Sequence, residues 1–156
     1  MAHRLCDVWL KRRDEALPTE VPMTPNAPFD PPSLADVLRE MDIEFLVAGE
    51  YGITVDEAAN FISNDHFVFL DVRTQEEKDH LTFTFAQHIP LHELPDRVGE
   101  LPRDKFIITF CVSGFRAAMA YAFLRTQDFD EIKALKGRLD QLAGAMTPGR
   151  FYRLGP

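Results

Sequence analysis

The apolar positions of this chain fall into two regimes. Between residues 33 and 45 they recur at helical spacing. Leu34, Val37, Leu38 and Met41 follow Ser33, a suitable N-cap, and predict a helix running to about Phe45 with these residues on one face. From residue 50 onward, short apolar runs alternate with capped amphipathic stretches. Thr54 followed by Glu57 is a capping box that opens a helix through about Ile62. Phe67-Val-Phe-Leu70 has the length of a buried strand, and Thr74 with Glu77 forms a second capping box directly after it. His92 to Val98, with Pro95 in its first turn, reads as a short helix. Phe106-Ile-Ile-Thr-Phe110 is the strongest strand signal in the chain. Gly114 to Gln127 reads as an Ala-rich helix with Met119, Phe123 and Leu124 apolar. Ile132 to Leu135 is a further strand ended by Gly137, and Arg138 to Ala143 a last helix. Phe83 and Phe85 alternate with Thr82, Thr84 and Ala86, which fits an edge strand or a packed loop.

Strands that alternate with helices predict an α/β fold. The expectation is a central, mainly parallel sheet of about five strands with helices on both faces. In such sheets ligands bind beyond the carboxyl ends of the strands, so the segment after Phe110 is the place to look for chemistry. Ahead of this pattern the chain differs. Six of the eleven prolines lie between Pro18 and Pro32, which predicts an extended arm. Before the arm, Leu5, Val8 and Trp9 with Arg4, Lys11 and Arg12 suit a short amphipathic helix. The expected organisation is an N-terminal helical and proline-rich extension over residues 1–49, one domain over 50–148 and a tail over 149–156.

Composition changes the picture in two places. The formal charge is −8, but it is unevenly spread. Residues 1–100 carry 8 basic and 20 acidic groups, a net of −12, and residues 101–156 carry 9 and 5, a net of +4. An acidic chain without clustered Lys and Arg argues against nucleic acid or an anionic membrane as partner, and an anion would favour the C-terminal third. The cysteines number two, Cys6 and Cys111, too few for a disulfide framework. With no long apolar run in the chain or at its N-terminus, a cytoplasmic location is expected. Cys6 is read as a bystander or, less simply, as a resolving thiol for Cys111. His88 and His92 are spaced as helical metal ligands, but Pro90 stands between them and nothing completes a site, so no metal is expected.

The chemistry concentrates in Cys111-Val112-Ser113-Gly114-Phe115-Arg116, between the strongest strand and a helix. A tight loop can point successive backbone N–H groups at one atom, and the helix that follows offers the positive end of its dipole. Gly114 permits a positive φ or a close backbone approach, and Arg116 adds a permanent charge. The setting suits an anionic sulfur. Most lone cysteines are small buried hydrophobes, but few open a Gly- and Arg-containing loop at a strand end.

At these residues the chain resembles the rhodanese family, whose members carry a C-x-x-G-x-R loop after a buried strand. Phe69-Leu-Asp-Val-Arg73 with Glu76-Glu77 is similar to the family's strand-Asp-Val-Arg-x-x-x-Glu element. Ile89 to Arg97 is similar to its I-P-L-x-E-L-P-x-R turn and helix, and Leu135-Lys-Gly137 to its L-x-G-G element. The likeness runs from about Ile53 to Pro148. It departs at Leu81 to Ala86, which replaces the family's G-H-I-P-G-A, and at Arg138, which replaces the second Gly. Inside the loop Arg116 is the only charge.

The resemblance implies a single-domain sulfurtransferase. Cys111 would take sulfane sulfur from a donor as a persulfide and pass it to a thiol, cyanide or protein acceptor, with ping-pong kinetics and no cofactor. Val112, Ser113, Gly114, Phe115 and Arg116 would bind the substrate, and Asp71 and Arg73 would support the pocket. Donors would be thiosulfate, or a glutathione or protein persulfide; the uncharged Val112 and Phe115 point to the persulfides. Two other readings stand beside this one. Cysteine phosphatases use a Cys-x5-Arg loop, one residue longer than the six positions from Cys111 to Arg116. A rhodanese-like docking or regulatory module without turnover is the other, suggested by the altered upstream motif.

Overall fold

The computed structural model describes residues 31–146. Residues 31–146 begin with two short helices, α1 (Leu34–Glu40) and α2 (Ile43–Ala48). There follow β1 (Gly52–Thr54), α3 (Val55–Ala59), β2 (Phe67–Asp71), α4 (Gln75–His80), β3 (Ala86–His88) and α5 (Leu94–Arg97) with a 3-10 turn at Val98–Glu100. The described chain closes with β4 (Phe106–Phe110), α6 (Phe115–Arg125), β5 (Ile132–Lys136) and α7 (Leu139–Ala145). The sheet has the order β1-β5-β4-β2-β3, and every neighbouring pair is parallel. This is the α/β fold expected from the alternation of strands and helices.

Strand β4 occupies the centre, and all five of its residues are buried. A strand covered on both faces reads as a continuous apolar run rather than an alternating one, which is why Phe106–Phe110 was so legible. Its one polar side chain, Thr109, donates its hydroxyl to the carbonyl of Ala117 at 2.9 Å and so ties α6 to the sheet. Helix α6 buries Ala117, Ala120, Tyr121 and Leu124, a stripe at i, i+3, i+4 and i+7. In register, Asp71 of β2 stands opposite Phe110 of β4 and His88 of β3. The carboxyl ends of these three strands therefore finish level, and the loop at Cys111 begins beside Asp71.

Several local expectations need correction. The helix expected from Ser33 to Phe45 is two helices: Asp42 caps the second by accepting from the Phe45 amide at 2.9 Å. Its proposed apolar face is also split. Val37 is buried and Met41 packs partly against the core, whereas Leu34 and Leu38 are exposed. Helix α3 ends at Ala59 rather than near Ile62. The three-residue strand β1 was not foreseen, and the edge strand that was one reading of residues 82–86 lies instead at Ala86–His88. Phe83 and Phe85 precede β3 and pack edge-on against Phe110 and Phe69 respectively, the packing role expected of them. The helix around Trp9, Cys6, nearly all of the proline-rich arm and the tail lie outside the described residues.

Candidate active site

Cys111 follows the last residue of β4 and is 2% exposed. The chain then turns outward: Val112 and Ser113 are exposed and Phe115 is 71% exposed before α6 re-enters the core at Ala117. Gly114 makes the turn with φ +90°. A Cβ there would meet nothing nearer than the Leu135 carbonyl at 3.9 Å, so it is the left-handed backbone, not crowding, that demands glycine. Gly114 is also the N-cap of α6 and provides no side-chain cap to its first turn. The loop is pinned on its other side by the Leu139 amide, which donates to the Val112 carbonyl at 3.0 Å.

Asp71 and Arg73 form a buried ion pair, 2% and 1% exposed. The Asp71 carboxylate accepts from Arg73 Nε at 2.9 and 3.0 Å, from Nη2 at 2.6 Å and from the Arg73 amide at 3.1 Å. The remaining guanidinium donors reach the carbonyls of Glu77 at 3.2 Å and Leu81 at 2.7 Å, which end α4. Phe83 covers the guanidinium at 5.2 Å from its ring centre. Arg73 is thus consumed in fixing α4 to the carboxyl end of β2. His88 Nε2 donates to the Arg73 carbonyl at 2.9 Å, while His92 sits 3.6 Å from Glu93, so the two histidines do not converge. Among the described residues no cluster suited to a metal ion forms.

Arg116 brings in a residue that the sequence reading left out of the site. Its Nη1 and Nη2 donate to the two carboxylate oxygens of Glu77 at 2.6 and 2.7 Å, a two-pronged pair across 39 positions of sequence. Glu77 also accepts from the Thr74 amide at 2.9 Å, completing the capping box of α4. The hydrogen bonds from Arg116, outweighing partial burial, hold the Glu77 carboxyl down at about 2. The same pair raises the Arg116 pKa, with the Cys111 side chain adding to the rise. The capping signal of Glu77 was visible in sequence; its second partner was not. A separate open cleft of about 420 Å³ lies at the carboxyl ends of β1 and β5, lined by Thr54, Val55, Asp56, Lys136, Gln141 and Gly144, and does not include Cys111.

A buried cysteine at the end of a central parallel strand, a left-handed glycine and an arginine at the start of the next helix define a class of site on a class of sheet. The rhodanese-like domain family model matches residues 54–145, and the chain belongs to that family. Among curated proteins it is 31% identical over 70 residues to a sulfurtransferase of Allochromatium vinosum, covering 45% of this chain and 65% of that protein. It is 26% identical over 103 residues to the tRNA sulfurtransferase of Vibrio vulnificus, covering 63% of this chain and 21% of that one. The chain thus spans less than two thirds of the length of either relative. Among solved structures, a rhodanese-related protein from Thermoplasma volcanium superposes with TM-score 0.55 at 27% identity, over 62% of this chain and 94% of that one. Reduced CoADR-RHD of Bacillus anthracis superposes with TM-score 0.58 at 29% identity, over 69% of this chain and 19% of that one.

Proposed function

We propose that this protein is a sulfurtransferase that carries sulfane sulfur as a persulfide on Cys111. The observation that carries the reading is the placement of buried Cys111 at the end of β4, opening a loop that leads through the left-handed Gly114 into a first turn of α6 without a side-chain cap. The relatives named as sulfurtransferases support the same chemistry. In the first half-reaction the Cys111 thiolate attacks the outer sulfur of the donor. With thiosulfate the S–S bond breaks and its electron pair leaves on sulfite; with a persulfide R–S–SH it leaves on the thiolate R–S⁻. Cys111 then holds one added sulfur. In the second half-reaction a thiolate or cyanide attacks that sulfur, giving a new persulfide or thiocyanate and restoring the Cys111 thiolate. The amides of residues 112–116 hold the anionic sulfur, while Asp71 and Arg73, committed to each other and to α4, support the pocket without touching substrate. No metal or organic cofactor takes part. The expected partners are a small sulfur donor and a thiol or protein acceptor.

Reduced protein incubated with thiosulfate, and separately with glutathione persulfide, is expected to gain the mass of one sulfur atom. The gain should be labile to cyanide or dithiothreitol and absent from Cys111→Ser. Folded, reduced protein that gains no sulfur from either donor would remove this reading and leave the docking module.

A further inference from the structure

Five of the nine exposed large apolar side chains among the described residues fall within one short stretch, Leu34 to Val47. Leu34 and Leu38 stand one turn apart on α1. Ile43, Leu46 and Val47 stand at i, i+3 and i+4 on α2, with Ile43 72% and Val47 78% exposed. These are not the residues that anchor the two helices. Val37 is buried, and Met41 and Phe45 pack partly against the core. Each helix therefore has an anchoring side and further apolar surface left in water. A single exposed leucine is ordinary, but five such side chains on two consecutive short helices mark a surface that something covers. The pair also precedes residues 54–145, the stretch that the rhodanese-like family model matches, so this face is no part of the common domain.

The surrounding charge says what kind of partner fits. From Ser33 to Glu50 the chain carries Asp36, Glu40, Asp42, Glu44 and Glu50, all exposed, against the single cation Arg39. Such a rim repels an anionic membrane or a nucleic acid. It also repels a second copy, because a two-fold contact sets these carboxylates against their own duplicates. We propose that the outward apolar face of α1 and α2 is a docking surface for a partner protein that presents an amphipathic helix with a basic polar side. Apolar residues of that helix, spaced at i, i+3 and i+4, cover the five exposed side chains, and its Lys and Arg meet the acidic rim. Helix α1 packs on α6, the helix that follows the Cys111 loop, and its Glu40 pairs there with Arg125. A partner seated on α1 is thus one helix removed from α6. The surface stands independently of the chemistry at Cys111.

The test is fluorescence anisotropy of two labelled synthetic peptides with the full chain. One is a helix-former of Leu and Lys at amphipathic spacing; the other has Glu in place of each Lys. The Leu/Lys peptide is expected to bind about tenfold tighter, by a margin that narrows as salt is raised. Leu38→Ser combined with Val47→Ser removes apolar surface without changing charge and should weaken the Leu/Lys peptide about tenfold. Leu81→Ser, at an exposed leucine elsewhere, should leave its binding unchanged. Glu44→Lys should weaken it about threefold at low salt. No binding by either peptide, or equal binding by both, overturns the proposal. So does binding that survives the double substitution in protein whose circular dichroism is native. Light scattering of the free protein decides the remaining case. A dimer that the double substitution converts to monomer means that a second copy covers the face, and overturns the proposal; a monomer in both supports it.

Discussion

Asp71 and Arg73 show how a residue's role depends on what surrounds it. An arginine two positions after a buried strand is ordinarily expected at the surface. Here it is 1% exposed, and its donors are taken up by one carboxylate and two helix-terminal carbonyls. Removing one partner of such a pair leaves the other charge buried and uncompensated. Asp71→Ala is therefore expected to cost about 3–5 kcal/mol of stability, measurable by urea denaturation. Cys111, Gly114 and Arg116 were readable from their local pattern, because a strand-loop-helix junction with glycine and arginine is a local feature. Glu77 was readable only as a cap, since its Arg116 partner lies 39 positions away.

At the scale of elements, Glu77 and Arg116 join α4 to α6 across the mouth of the site. The pair makes a pH prediction. The folded pKa of Glu77, about 2, lies below its ordinary value of 4.5. Its stabilising contribution is therefore complete above about pH 4.5 and is lost as pH falls toward 2. The stability difference between native protein and Glu77→Gln should shrink across that window in a series of urea midpoints; a constant difference would mean that the pair does not titrate with folding. The same scale explains the two short strands. Ala86–His88 has no apolar run of its own and becomes a strand by hydrogen bonding to β2, and Gly52–Thr54 does the same against β5. Gly137 acts by close approach: a Cβ there would stand 2.4 Å from Val55 Cγ2, so β5 can pass α3 only with glycine at that point.

For the molecule as a whole, α1 and α2 belong with the sheet. Val37 is buried, and Arg125 of α6 pairs with Glu40 of α1 at 2.9 Å. We propose that residues 50–148 carry the fold and the chemistry while this preceding pair of helices buttresses α6. Val37→Ala should then lower the midpoint of the single unfolding transition, at a cost of about 1–3 kcal/mol, rather than produce a separate early transition. Among the described residues no helix is long and apolar enough to cross a membrane.

The alternation of strands and helices, the strand at Phe106–Phe110, the capping boxes and the loop from Cys111 to Arg116 were legible in the sequence. Each rests on interactions between residues a few positions apart, or on the apolar runs that burial on two faces requires. Tertiary structure alone decided that β1 is a strand and where β3 lies, that Arg73 is buried, that Leu34 and Leu38 face outward and that Glu77 meets Arg116. Those outcomes depend on which distant segments come together, and the spacing of residues along one segment does not encode what the fold will set against it.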